Sequence, residues 1–102
     1  MDMRKMMKQA QKMQLEAARA QEELAAMEFE ASAGGGMVKV VAAGDSTIKS
    51  ITIDPEAVDP EDVEMLQDMV VAAVNEALRT VTETTNARMG AVMGGMKIPG
   101  LM

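Results

Sequence analysis

The first 30 residues contain neither glycine nor proline, and they carry an apolar repeat that constrains the fold more than any other feature. Small or apolar residues recur at alternating steps of three and four positions: Met3, Met6, Ala10, Met13, Ala17, Ala20, Leu24 and Met27. This is the heptad spacing of an amphipathic helix. A helix of ~28 residues is ~42 Å long, whereas a globular domain of this size has a radius of gyration of ~13 Å. We therefore predict that residues 1–31 form a helix that projects from the body or packs along a long partner.

Basic residues are concentrated on this predicted helix. The chain has a net charge of −6, but residues 1–19 contain five basic and two acidic residues, a balance of +3, and the other 83 contain five and 14, a balance of −9. Every basic residue of the helix lies away from the apolar stripe. Salt screens charges beyond ~8–10 Å, so an acidic body does not prevent a basic arm from binding phosphate. The alternative is an ordinary solvated helix face. The candidate contacts are Arg4, Lys5, Lys8, Lys12 and Arg19.

Three consecutive glycines, Gly34, Gly35 and Gly36, follow this segment in the stretch AGGGMVKV. A phosphate-binding loop requires a strand before the glycines and a helix after them, and the chain has no Gly-Lys-Ser or Gly-Lys-Thr. We instead predict a helix C-cap and turn, because glycine tolerates positive φ. In this interpretation the glycines are a hinge that sets the angle between the projecting helix and a sheet.

Residues 37–54 are rich in β-branched side chains and are interrupted by the turn signal Gly44-Asp45-Ser46, which predicts a β-hairpin. Ile48 is out of phase with Ile51 and Ile53, so we expect either a bulge or a break near Lys49-Ser50, and the return segment is one bent strand or two short ones. A second helix is predicted over residues 59–89, with Asp59 as its N-cap and Pro60 at its first position. The glycines and proline of residues 90–102 predict a flexible tail.

The composition argues against several classes of function. There is no histidine or cysteine, so the commonest general bases, thiol nucleophiles and metal ligands are missing. The acidic cluster Asp54, Glu56, Asp59, Glu61, Asp62 and Glu64 lacks the spacing of a calcium loop and suits helix-start charge instead. We expect no enzyme activity, metal, cofactor or small-molecule substrate. No apolar run approaches the ~20 residues of a membrane span, and the absence of cysteine is compatible with the cytoplasm.

Residues 1–102 are expected to form a single α+β domain. Aromatic residues make up 1% of the chain, so a core of Ala, Val and Met would bury little surface per side chain. The apolar heptad and the free edges of a hairpin both need a partner. We therefore predict an obligate homodimer.

Four stretches resemble the YbaB/EbfC family of bacterial nucleoid-associated proteins: MKQAQKMQ (7–14), QEELAAMEFEASAGGGMVKV (21–40), ITIDPEAVDPEDVEMLQDMVVAAVNEA (51–77) and MGAVMGG (89–95). The resemblance implies an α-β-β(-β)-α fold and a tweezer-like homodimer whose helices project from a shared antiparallel sheet. It also implies a nucleoid location and binding to double-stranded DNA with little sequence preference. The family's DNA contacts lie on the projecting helices, which supports the N-terminal basic residues and adds Arg79 and Arg88.

The sequence is compatible with two main functions. The first is a homodimeric DNA-binding protein that contacts phosphates through basic helix ends and organises the nucleoid or regulates gene expression. The alternative is an interaction module, linked to DNA repair or recombination, whose long helices recruit another protein while DNA contact is incidental. Binding of the N-terminal helix to a membrane surface fits less well, because the helix face is rich in alanine and lacks bulky apolar anchors.

Overall fold

The computed structural model describes residues 2–94, with side-chain surroundings up to residue 91. The elements, in chain order, are α1 (Met3–Ala26), β1 (Glu28–Ala33), β2 (Val38–Ala43), β3 (Ile48–Ile53), a 3₁₀ turn (Pro55–Ala57) and α2 (Val63–Gly94). This α-β-β-β-α order confirms the predicted fold class. The molecule measures 71 × 27 × 16 Å and has a radius of gyration of 20.0 Å. It is therefore far more extended than a globule of its length, for which ~13 Å is typical.

Helix α1 begins at an Asp2 cap, whose carboxylate accepts a hydrogen bond of 3.0 Å from the Arg4 amide. The helix ends at Ala26, so the predicted boundary at residue 31 is wrong. Met27 is extended, with φ −74° and ψ 149°. The next six residues form β1, in which Phe29 and Ala31 are buried between exposed neighbours. Pairing with β2 and burial of this alternating face outweigh the helical propensity of Glu and Ala.

The three strands form an antiparallel sheet in the order β1-β2-β3. β2 and β3 form the predicted hairpin, with Val38 opposite Ile53 and Val40 opposite Ile51. The register shifts between Val41, which pairs with Ser50, and Ala42, which pairs with Ile48. Lys49 is the additional residue, which confirms the predicted bulge.

The turn between β2 and β3 is closed by Asp45. Its carboxylate accepts a hydrogen bond of 3.0 Å from the Thr47 amide. Hydrogen bonding to Thr47 lowers the pKa of Asp45 below its ordinary value, because the bonds favour the charged carboxylate. Ser46 takes a φ of 70°, in the left-handed region.

The three consecutive glycines lie in the turn between β1 and β2, so their predicted role as a hinge between helix and sheet is wrong. The connection from α1 to the sheet is made at Met27, seven residues earlier. The expected backbone conformation is confirmed, since φ is 63° at Gly34, 68° at Gly35 and 93° at Gly36. A β1–β2 connection this tight requires positive φ, which glycine adopts without the steric cost of a side chain.

Helix α2 begins at Val63, four residues after the predicted start. The Asp62 carboxylate caps it by accepting a hydrogen bond of 3.2 Å from the Met65 amide. Asp59 instead closes the preceding turn, where it accepts a bond of 2.9 Å from the Glu61 amide. The helix continues to Gly94, so the first five residues of the predicted tail are helical. Residues 95–102 of that tail lie outside the described residues.

The core lies between α2 and the first two strands. Small side chains on both elements let the helix approach the sheet closely. The fully covered residues are Val38, Val40, Ala42, Ala73 and Ala77. Within residues 2–94, neither helix contains an apolar stretch that could cross a membrane.

Candidate nucleic-acid interface

The N-terminal half of α1 extends beyond the body of the protein. All residues from Asp2 to Lys12 are exposed, and the first buried helical residue is Ala20. The C-terminal half of α1 packs against α2 and the end of β2, with Leu24 only 2% exposed. One end of α1 is therefore anchored, and the other stands in solvent.

The projecting half of α1 has a basic face and an apolar face. At ~100° per residue, Arg4, Lys5, Lys8, Lys12 and Arg19 fall within a sector of about 100°. Met3 and Met6 lie on the opposite side, with 75% and 52% of their surfaces exposed. Lys5, Lys12 and Arg19 recur every seven residues, about 10 Å apart along the axis. This row is long enough to meet several phosphates along one DNA strand, which carries a charge every ~3.4 Å.

The basic residues of α1 have no carboxylate partners within the described part of the chain. None of the ion pairs among residues 2–91 involves Arg4, Lys5, Lys8, Lys12 or Arg19. Glu16 is close in sequence to both Lys12 and Arg19, yet it pairs with neither in the structure. The positive charge of the arm is thus available to an external anion.

Two further candidate residues are engaged by carboxylates of the same chain. The Arg79 guanidinium lies 2.6 Å from Glu76 and 3.3 Å from Glu83. The hydrogen bonds that it donates to the Glu76 carboxylate raise the pKa of Arg79. Arg88 Nη1 lies 3.0 Å from Glu23 Oε2 and so joins α2 to α1. Neighbouring carboxylates therefore compensate the positive charges of both arginines on the body, whereas the basic side chains of the arm have no such partners among residues 2–91.

Gly44 helps to position the arm, although the sequence predicted it only as a turn residue. Its amide donates a hydrogen bond of 3.1 Å to the Met27 carbonyl, just after α1 ends. A β-carbon at position 44 would overlap the carbonyl oxygen of Leu24. The base of α1 therefore lies directly against the β2–β3 turn. Only a long-range contact reveals this role, and no local pattern in the sequence encodes it.

The acidic cluster before α2 does not form a metal-binding arrangement in the structure of residues 2–94, where no three acidic side chains converge. Three of its carboxylates accept backbone hydrogen bonds instead. They belong to Asp54, Asp59 and Asp62, at distances of 2.9 to 3.2 Å. The cluster thus acts in chain turns and in capping α2.

Comparison with proteins of known sequence and structure gives consistent matches. A nucleoid-associated protein of Pelotomaculum thermopropionicum is 59% identical over 100 residues, which are 98% of this chain and 95% of that protein. A nucleoid-associated protein of Desulforamulus reducens has the same identity and coverage. The crystal structure of an uncharacterized protein from Helicobacter pylori superposes with a TM-score of 0.80 at 24% identity, over 92% of this chain and 99% of the other. This last match shows the shared fold.

The YbaB/EbfC DNA-binding family matches residues 1–96, which include the projecting arm, the sheet and α2. The two nucleoid-associated relatives align with 98% of this chain and with 95% of their own length. The chain belongs to the YbaB/EbfC DNA-binding family of nucleoid-associated proteins.

Proposed function

We propose that this protein is a homodimer that binds double-stranded DNA through the phosphate contacts of its two α1 arms and thereby contributes to nucleoid organisation and gene regulation. The observation that carries the proposal is the charge contrast between arm and body. The arm exposes Arg4, Lys5, Lys8 and Lys12 without carboxylate partners among the described residues. The remaining 83 residues beyond position 19 carry a net charge of −9, so the body repels a duplex and the arms approach it.

Phosphate contact predicts weak sequence selectivity. Phosphate contacts position a protein on DNA but carry no direct base information, which is read at the base edges in the grooves. Between Arg4 and Lys12 the amide side chains are Gln9 and Gln11, and neither forms an obvious pair with a basic residue for reading a base edge. Arg19 extends the row toward the body, while Arg79 and Arg88 remain candidates with compensated charge.

A dimer would double the number of arms. Two copies of the four basic residues would supply eight positive charges on two projecting ends, and linkage of two weak sites raises the overall affinity. The apolar stripe of α1 and the free sheet edge both favour assembly. A stable mass near the monomer value of 10.9 kDa in light scattering at micromolar concentration would contradict the dimer.

The experiment is a fluorescence-anisotropy titration of several unrelated duplexes with the parent protein and with a Lys5→Gln/Lys8→Gln/Lys12→Gln variant. We expect the variant to lose about tenfold or more in affinity for every duplex alike, because each lysine neutralises a phosphate. Circular dichroism and light scattering should be unchanged, since these side chains are exposed.

The matched control is a Lys39→Gln/Lys49→Gln/Lys97→Gln variant, which removes the same number of positive charges from outside the arm and leaves the candidates Arg79 and Arg88 in place. It should bind nearly as well as the parent. Equal losses in the two variants would show that net charge matters and the arm does not. Full binding by the arm variant would instead favour the alternative in which α1 recruits another protein.

A further inference from the structure

A shallow apolar depression of about 420 Å³ lies between the first two turns of α2 and the glycine turn that joins β1 to β2. Ala33 and Gly34 form one side of it, and Met65 and Met69 of α2 form the other. Met65 is 59% exposed, and Met69 is partly buried against the core. Because methionine is flexible and packs against irregular apolar surfaces, the depression offers an apolar contact to a second molecule.

Two carboxylates line the solvent side of this depression. Glu64 and Asp68 are exposed, and neither forms an ion pair among residues 2–91. They are spaced four residues apart, as are Met65 and Met69, so the two pairs form neighbouring rows on the helix surface. Residues 54–68 contain seven acidic side chains and no basic one. The start of α2 thus presents an apolar row beside an acidic row.

The tip of α1 (residues 3–8) carries the complementary pattern. Met3 and Met7 are 75% and 62% exposed, and each is followed directly by a basic residue, Arg4 or Lys8. The four residues form an apolar row and a basic row with the same spacing, about 6 Å along the axis. The tip and the start of α2 therefore share one pattern with opposite charge.

The order of the rows selects the relative direction of the two helices. Viewed from the N-terminus, the basic row of the tip follows its methionine row by ~100°, whereas the acidic row of α2 precedes its methionine row by ~100°. In parallel helices, the flank that follows the apolar row of one helix meets the flank that precedes it on the other. Arg4 and Lys8 would then face Glu64 and Asp68, and an antiparallel arrangement would separate these charges.

The depression is out of reach of the arm of its own chain. It lies at the glycine-turn end of the sheet, whereas α1 joins the sheet beside Gly44 at the opposite end. From there α1 runs away from the sheet, because its Glu23 pairs with Arg88, seven residues beyond Val81 of the core. The two surfaces thus lie toward opposite ends of a molecule 71 Å long, and the matching tip must come from another molecule.

We infer that the tip of α1 from one molecule docks parallel to α2 in the depression of another molecule, with its methionines against those of α2. The contact uses Arg4 and Lys8, to which the proposed function assigns phosphate, so DNA and a second molecule compete for the same arm. Salt weakens both contacts, because it screens exposed charges. The inference goes beyond the proposed function and does not require DNA binding.

The test exchanges the charges of the two surfaces and measures mass by sedimentation velocity at low salt, without DNA. The tip variant is Arg4→Glu/Lys8→Glu, and the depression variant is Glu64→Lys/Asp68→Lys. The control, Glu22→Lys/Glu30→Lys, makes the same change of +4 in net charge as the depression variant, at exposed carboxylates elsewhere. Since +4 lowers the net charge from −6 to −2, general repulsion predicts more association of the depression variant, and the inference predicts less.

We expect the average mass of the parent and of the control to rise with protein concentration above the mass at high salt. Each charge-reversed variant alone should lose this rise, because its two surfaces carry like charges. An equimolar mixture of the two variants should restore it, because the acidic tip of one fits the basic depression of the other.

A constant parent mass would overturn the inference, as would association of either variant alone at the parent level or a mixture without restored association. Should charge reversal unfold α2, as judged by circular dichroism, Glu64→Gln/Asp68→Asn removes the charges at the same positions, and unchanged association would again overturn the inference. A high-salt mass near 10.9 kDa would contradict the homodimer and leave this contact standing. Because no DNA is present, failure of the phosphate-binding proposal would not alter the result.

Discussion

At the scale of single residues, the orientation of the arm depends on Gly44. The Gly44 amide bonds to the Met27 carbonyl, and the site has no room for a side chain beside the Leu24 carbonyl. The obstacle is backbone, which cannot move aside as the end of a flexible side chain can. Gly34 is a contrasting case, because a β-carbon there would meet the sulfur of Met69, a side chain that can rotate away.

We predict that Gly44→Ala destabilises the protein by about 1–3 kcal/mol, the usual cost of forcing extra atoms into a packed site. The control is Gly90→Ala in α2, where a β-carbon would meet no atom within 4 Å. That change should stabilise the protein by up to ~1 kcal/mol, because alanine favours helix more than glycine does. Urea unfolding of the two variants measures both effects. The same sign for both would contradict the assigned role of Gly44.

At the scale of elements, α1 is one continuous helix with two different environments. Its C-terminal half is held by Leu24, which is buried, and by the ion pair of Arg88 with Glu23. Its N-terminal half makes no buried contact within the described chain. An exposed ion pair of this kind contributes only ~0–1 kcal/mol, so the apolar contact is the main anchor of the arm.

Leu24→Ala should therefore cost about 2–5 kcal/mol, the range for removing a buried leucine side chain. Leu15 is the matched control, since it lies on the same helix and is 68% exposed. Leu15→Ala should change the free energy of unfolding by less than ~0.5 kcal/mol. Chemical denaturation measures the free energy of unfolding of both variants. Similar costs for the two leucines would mean that the base of α1 is not anchored as described.

The elements also show how much of the fold can be read from the sequence. The heptad predicted a projecting helix, and the phase change at Ile48 predicted the bulge, because both are local periodic patterns. The residue pattern alone did not predict β1, because Glu28–Ala33 follows an Ala- and Glu-rich helix without a glycine or proline to mark the boundary. Its identity as a strand depends on pairing with β2, a contact between segments. The glycines were predicted as a hinge for the same reason: without β1 they would directly follow the helix, whereas they lie in the β1–β2 turn.

More features of the arm than of its surroundings could be predicted from the sequence. The charge asymmetry identified the five basic residues of α1 because they are close in sequence. Compensation of Arg79 by Glu76 and Glu83 was readable in principle from the three- and four-residue spacing. The pairing of Arg88 with Glu23 was not, since 65 residues separate them. Nor could the contact of Gly44 with α1 be found without the tertiary structure.

At the scale of the whole molecule, the fold separates a basic arm from an acidic body along a length of 71 Å. Phosphate binding releases counterions from DNA, so the logarithm of the binding constant falls with the logarithm of salt concentration, by ~0.9 for each phosphate neutralised. If the arms bind DNA as proposed, the salt dependence counts the phosphates that they neutralise. It distinguishes direct contact from a general effect of net charge.

The most direct test is the difference in this slope between the parent protein and the Lys5→Gln/Lys8→Gln/Lys12→Gln variant, measured on one duplex over a series of salt concentrations. If both arms of a dimer engage DNA, removal of six lysines should reduce the slope by about 5. The Lys39→Gln/Lys49→Gln/Lys97→Gln control should keep the parent slope. A variant with unchanged slope, or a control that loses as much as the arm variant, would contradict phosphate binding by the arms.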